Sequence, residues 1–268
     1  MKKIIFRFLI FILLLIFSFI IFLSTIGVKT KAFNDQIIKE VKKINNQLEL
    51  ELDKISIILD PFKLKLVLKT IGANLKNKNK LIKLESVKSN IDIKTFINKK
   101  FSLSELDINT RTIEIKNLIS FVRSIEDNPQ IFILEKFVKK GYLIADINLK
   151  FDQKGNIKDD FIIKGFVKDG EVKPFKKIDL SKINFIFNIQ NNEFEFKDIN
   201  LSYDNNDLKF PKLTLIKQKN EFLISGKNEN KNLVLDNKKI NQLLNNNFSN
   251  LKFESAEFDL ENTFSFKI

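Results

Sequence analysis

The side chains with reactive chemistry to offer are few in kind. There is no His and no Cys, so the common zinc sites, serine or cysteine triads and thiol redox couples have no material here. Carboxylates remain. Asp159–Asp160 and Asp204 with Asp207 are the two groups that invite an acid–base or metal reading, but both stand near Gly or Asn in turn-like sequence, where turn solvation accounts for them. No catalytic residue, metal or cofactor is assigned, and the chain reads as a non-enzyme. What is plentiful is hydrocarbon: the chain has 28 Phe and no Trp. Its densest apolar sets are Ile183, Phe185, Phe187 and Ile189, then Phe194, Phe196, Ile199 and Leu201, then Phe210, Leu213 and Leu215. Residues at a period of two lie on one face of a strand, so each set defines an apolar surface that must be covered.

The elements that position these residues follow a recurring rule. In FEFKDINLSY (194–203), alternation runs over Phe194 and Phe196, skips Lys197 and Asp198, and resumes on Ile199, Leu201 and Tyr203. The same φxφxxφxφ spacing returns at Leu50–Ile57, Ile82–Ile93, Phe101–Ile108, Leu208–Leu215 and Leu251–Leu260. A step of three throws the apolar set to the opposite face unless a β-bulge absorbs one residue, keeping the face and adding twist. Tight hairpins are the alternative, and they fit less well: Lys-Asp and Ser-Glu are poor turn pairs, and each arm would be about three residues long. Bulged, strongly twisted strands with one apolar face predict a sheet that curls. Its interior is filled by another layer, by helices, or by acyl chains.

The rest of the chain frames this sheet. Phe8–Val28 carries no charge and is overwhelmingly apolar, about 31 Å long as a helix, which matches a bilayer core. It exceeds a typical signal-peptide core, and Ser24–Gly27 is a poor cleavage site, so an uncleaved transmembrane anchor is expected at 1–28. Phe33, Ile37, Val41, Ile44 and Leu48 then stripe one side of an amphipathic helix at 29–47. Strands are expected over 48–115 and 141–268. Between them, 116–140 reads as two helices. The first carries Leu118, Phe121, Val122 and Ile125; the second opens on Asn128-Pro129 and closes at Lys139-Lys140-Gly141. A last helix is expected at Asp236–Phe248.

The net charge of +13 rests on 46 basic residues, of which only Arg7, Arg111 and Arg123 are Arg. Lysines such as Lys63, Lys65, Lys150 and Lys164 alternate with apolar residues on strands, the pattern of a solvated face that blocks edge pairing. The charge therefore does not point to nucleic acid.

The segment LIKLESVKSNIDIKTFINKKFSLSELDINTRTIEI (81–115) resembles the N-terminal signature of the AsmA-like family of envelope proteins, with its TamB and YhdP types. Val87, Ile91 and Ile93, then Phe96 and Ile97, then Lys100, Phe101, Leu103, Leu106 and Ile108 take the places of its bulged strand, short turn and second strand. Gly165–Leu215 resembles the repeated strands of the YhdP-type central region. The chain departs from the pattern in having Thr110-Arg111 where a proline commonly ends the second strand, and it corresponds to a short member or an N-terminal portion. The resemblance implies a fold that is mainly β with accessory helices: an N-terminal transmembrane helix followed by an elongated, highly twisted, curled antiparallel β-sheet, a taco-like groove. It implies a single-pass inner-membrane protein with its bulk in the periplasm. Phospholipid acyl chains would lie along Phe185, Phe187, Phe194, Phe196, Ile199, Leu201, Phe210, Leu213 and Leu215, in support of outer-membrane lipid transport and assembly. Partners are then phospholipid, the inner membrane, and other envelope proteins or further copies of the chain. The competing expectation is a membrane-tethered scaffold that engages an envelope complex by edge-strand pairing.

A short basic N-terminus followed by a long domain favours Met1 in the cytoplasm and Lys29 onward exported. A reporter active only outside the cytoplasm, fused after Ile268, is expected to be active; activity of a cytoplasm-only reporter there would refute the orientation.

Overall fold

The computed structural model describes residues 2–31, 34–93, 103–126, 128–152, 157–175, 178–219, 221–237, 240 and 254–268. The chain is mainly β, its strand pairs are antiparallel, and it begins with an apolar helix. It divides into two units: Met1–Arg111, Ser124–Glu126 and Asp146–Phe161 form one, and Thr112–Arg123, Asp127–Ala145 and Ile162–Ile268 the other. Asp146–Phe161 falls in the first unit because the end of one strand, residues 146–150, pairs with Glu105–Asn109.

In the first unit, α1 (Lys2–Thr25) is long and apolar enough to span a membrane, and none of the span is buried by the protein. Its polar exceptions near the end are satisfied within the helix: the Ser24 and Thr25 hydroxyls donate to the carbonyls of Ile20 and Ile21 at 2.7 Å. Gly27, at φ 68°, stops the helix, its N–H still donating to the Phe22 carbonyl. The chain then enters β1 (Val28–Thr30), so the amphipathic helix expected at 29–47 does not continue from α1; it is α2 (Asn34–Ile44). The strands β2 (Leu48–Glu51) and β3 (Ile55–Asp60) replace the one bulged strand expected over Leu50–Ile57. The reason is a change of partner: β3 pairs with β1 and with β4 (Lys65–Ile71), whereas β2 pairs with β5 (Asn74–Asn77). Asn34 secures the crossing by donating to the Asp53 carbonyl at 2.7 Å.

Bulges do occur where the spacing placed them in the next two strands. Against β7 (Leu103–Thr110), β6 (Lys80–Asp92) slips by one residue between Leu84 and Ser86, and β7 slips between Leu103 and Glu105. Ile82 and Leu84 before the first slip and Ser89 and Ile91 after it are all buried, as one face demands. Ile55, Leu68 and Ile91 form the core, with Ile37 of α2 packed on it. Phe101 and the turn expected before it, at 94–100, lie outside the described residues.

The second unit opens with β8 (Ile113–Glu114), α3 (Ile115–Ile125) and α4 (Pro129–Phe137). Asn128 caps α4, its side-chain oxygen accepting from the Gln130 N–H at 2.8 Å with Pro129 in the first turn. The two helices are joined by Arg123, which pairs with Glu135 and lies 4.8 Å from the Phe132 ring centre. The expected closure of α4 at Lys139-Lys140-Gly141 does not occur: the helix ends at Phe137 and Val138 is already extended, starting β9 (Val138–Lys150). Gly141 instead lets two strands approach, since a Cβ there would lie 2.9 Å from the Gly170 Cα. From β9 the chain runs as a meander through β10 (Ile162–Phe175), β11 (Ile178–Gln190), β12 (Glu193–Tyr203), β13 (Asn206–Gln218), β14 (Glu221–Asp236) and β15 (Ser255–Lys267). The helix expected at Asp236–Phe248 falls mostly outside the described residues; Asp236 itself ends β14.

Ala145, Val167 and Phe187 are the buried centre of this unit, with Ile115, Leu143, Ile163, Phe185, Ile189 and Phe196 packed on them. Gly165 faces Phe187 across the β10–β11 ladder. A Cβ at Gly165 would sit 2.7 Å from the Phe187 ring and collide with the Ile144 carbonyl. Gly165→Ala is therefore expected to destabilise the fold by roughly 1–3 kcal/mol, the usual cost of overpacking. Urea unfolding checks this, with Gly226→Ala as a milder comparison because its nearest obstacle is the far end of the Phe264 ring.

Candidate functional site

The candidate surface is built on β11, β12 and β13, and backbone register decides which side chains it contains. Phe187 pairs with Phe196, which pairs with Leu213; Phe194 pairs with Leu215, Ile199 with Phe210, and Leu201 with Leu208. Directly paired residues share a face. Asn184 pairs with Asn200 on the opposite side, which returns Ile199 and Leu201 to the face of Phe194 and Phe196. All nine residues expected from the sequence thus lie on one face. Rings pack edge-on within it, Phe185 at 5.6 Å from Phe196 and 6.3 Å from Phe187.

The phase of the face survives because bulges stand where pairing slips. Asp169, Lys182, Asp198 and Asn232 occupy these slips with φ of 50–54°. Asparagine side chains bond the backbone around the first three, and the Asp259 carboxylate accepts from the Asn232 N–H at 2.9 Å. Asn184 accepts from the Asp169 N–H at 3.0 Å and donates to the Lys182 carbonyl at 2.7 Å, and Asn200 donates to the Asp198 carbonyl at 2.9 Å. Between β12 and β13 no slip is needed, because Lys197 pairs with Lys212 and the two interrupted spacings lie opposite each other.

Burial grades across the surface. Phe187 is 6% exposed and belongs to the closed core, so it is a packing residue first. Phe185, Phe194, Phe196, Ile199, Leu201, Phe210, Leu213 and Leu215 are half-buried. The face continues beyond the expected set: Leu213 pairs with Gly226 and that with Phe264, and Leu215 with Ile224 and that with Phe266. Phe266 is 48% exposed. The alternation at Phe222, Ile224 and Gly226 and at Phe264 and Phe266 carried that signal, but only pairing joins it to the rest.

The opposite face is charged. Glu195 sits between Lys212 at 2.6 Å and Lys197 at 2.9 Å, and Lys227 between Glu229 at 2.5 Å and Glu261 at 2.9 Å. Lys212, then Lys197, holds the Glu195 carboxyl below the usual carboxylate range, and Glu229, then Glu261, pushes the Lys227 ammonium up. Phe166 and Ile186 interrupt this face as an exposed cross-strand pair.

The carboxylate groups singled out as possible chemistry lie in or beside turns. Asp160 accepts from the Lys150 ammonium at 2.8 Å, which holds its carboxyl low; Asp159 is exposed beside it. Asp204 and Asn205, at φ 50° and 64°, form the β12–β13 turn, and Asp207 accepts from the Ser202 hydroxyl at 2.5 Å. Among the described residues no group of three or more His, Cys, Asp or Glu is placed to hold a metal. Comparison of the chain with family models, with curated proteins and with solved structures returns no match.

The folded-state depression of Glu195 sets a sign for pH dependence. A carboxylate stabilised in the fold contributes above its unfolded value, near 4.5, and that contribution is lost as pH falls through the lower folded value. Glu105 behaves alike, held low first by Asn148 and then by Asn90. The urea midpoint is expected to be flat near neutrality and to fall on acidification below about pH 4.5. Glu195→Gln is expected to lower the neutral midpoint and flatten that fall.

Proposed function

We propose that this chain is an inner-membrane-anchored periplasmic protein of the AsmA-like kind that holds or conducts phospholipid along the apolar face of its second unit, supporting outer-membrane lipid transport and assembly. The observation that carries the reading is the register: Phe194, Phe196, Leu213, Leu215, Ile224, Phe264 and Phe266 meet on one face across four strands and are left half-buried or exposed. Each methylene that such a face takes from water contributes about 0.8 kcal/mol, so a chain of lipid length is held firmly without any polar contact. The slips at Asp169, Lys182, Asp198 and Asn232 bend and twist the strands that carry the face, which suits a surface curled into a groove. α1 supplies the anchor and the source of lipid, and the paired charges of the opposite face keep that side in water.

One observation favours a second reading, a tethered scaffold that binds an envelope partner through a strand edge. Among the described residues, β15 pairs only with β14, and it exposes Phe258, Leu260 and Phe266 over 13 residues. A free edge of that length is a template for another strand.

Photo-crosslinking separates the two. With benzoylphenylalanine at Phe194 or Leu215 in cells, a phospholipid adduct found by mass spectrometry is expected, and none from Ile186, which is 49% exposed on the opposite face. Protein adducts from Phe258 with no lipid adduct at Phe194 or Leu215 would replace lipid binding by scaffolding.

A further inference from the structure

The β3–β4 turn, Pro61–Leu64, leaves apolar side chains in the open. Phe62 is 96% exposed and Leu64 59% exposed. The backbone retains Leu64 at some expense, because it sits at φ 51°, a conformation that glycine or asparagine adopts more easily. Every other non-glycine residue with positive φ among the described residues is Lys, Asp or Asn. An exposed leucine at such a position calls for a surrounding that is not water.

The register says what lies next to it. Val28 pairs with Ile57 and Thr30 with Ile55, antiparallel. β3 therefore runs back toward α1 as β1 runs away from it. Gly27, the residue that stops α1, lies against the Ile57 carbonyl and the Ile58 side chain, and α1 packs on β3. Asp60 ends β3, accepts from the Lys63 N–H at 3.0 Å, and turns the chain through Phe62 and Leu64. The turn thus protrudes on the side where α1 ends. Ile26 and Val28 are exposed there too, with the exposed cations Lys29 and Lys63 among them.

We infer that this turn is a second membrane contact, in which Phe62 and Leu64 enter the interfacial layer of the bilayer while Lys29 and Lys63 meet anionic headgroups. The inference rests on α1 spanning that bilayer. Aromatic and basic residues beside the end of a span are suited to this layer, the ring in the acyl boundary and the ammonium among phosphates. A single helix leaves its attached unit free to rotate about the helix axis. A contact to one side fixes how the first unit stands on the membrane.

The chain has no Trp, so single-tryptophan variants report cleanly, and Phe62 is exposed enough that its replacement leaves folding intact. Full-length Phe62→Trp and, separately, Phe17→Trp are reconstituted in vesicles of phosphatidylethanolamine and phosphatidylglycerol with bromines placed either near the glycerol or deep in the acyl chains. Phe17→Trp is expected to lose most of its emission to deep bromines, and Phe62→Trp to lose most of its emission to shallow ones. Adding Lys63→Glu to Phe62→Trp is expected to restore part of that emission. Quenching of Phe17→Trp with none of Phe62→Trp would overturn the turn contact and leave the anchor standing. Quenching of neither would remove the anchor, and the inference with it.

Discussion

The second unit has to carry one apolar face past the points where pairing slips, in the β10–β11, β11–β12 and β14–β15 ladders, and the rest of the unit depends on that being possible. A slip without a bulge would invert the face and send Ile199 and Leu201 to the charged side. The extra residue is taken up in the left-handed region at Asp169, Lys182, Asp198 and Asn232. For a residue with a Cβ this costs about 1–2 kcal/mol, and it unpairs neighbouring backbone groups. Asparagines recover the loss. Asn184 serves two bulges at once through the Asp169 N–H and the Lys182 carbonyl, each such bond contributing about 0.5–1.5 kcal/mol. Asn184 and Asn200 each stand two residues after a bulge and bond the carbonyl of its left-handed residue, a structural task that composition does not reveal.

Once the phase is kept, the two faces can specialise. On one, glycines make room for rings: Gly165 lies under Phe187 and Gly226 under Phe264, so large side chains pack over positions that carry none. On the other, Glu195 and Lys227 each bind two opposite charges, one two residues on along their own strand and one on a neighbouring strand. These pairs are solvent-facing and individually weak. Their effect is to keep that side hydrated, so that the apolar face is the one left seeking cover. Phe187 receives its cover from within the protein, whereas Phe266 does not, and that gradient is why the outer strands rather than the centre carry the lipid reading.

The first unit solves a different problem, the passage from an apolar helix to a sheet. Gly27 makes the passage in one residue. Its left-handed conformation ends α1, and its missing Cβ lets the Ile57 backbone approach, so β1 pairs within a residue of the helix stop. The consequence reaches the β3–β4 turn, because an antiparallel partner of β1 has to come back toward the helix it left.

What the sequence determined by itself was whatever depends on neighbours along the chain. The apolar run of α1, the Asn128-Pro129 start of α4, the alternation of β11 to β13 and the bulges in β6, β7 and β12 were legible, because period, capping and backbone preference are local properties. What only the tertiary structure decided was partnership. The spacing at Leu50–Ile57 matches that of the bulged strands, yet there the chain changes ladders between β2 and β3, since Leu50 and Ile57 find different partners. Gly141 follows two lysines as a helix cap would, yet it serves a close approach to Gly170, a residue distant in sequence. Phe187 and Phe194 alternate alike, and only packing from Ala145 and Val167 makes one a core residue and leaves the other half-open. Burial and register are set by residues brought together from far along the chain, and no periodicity encodes which those are.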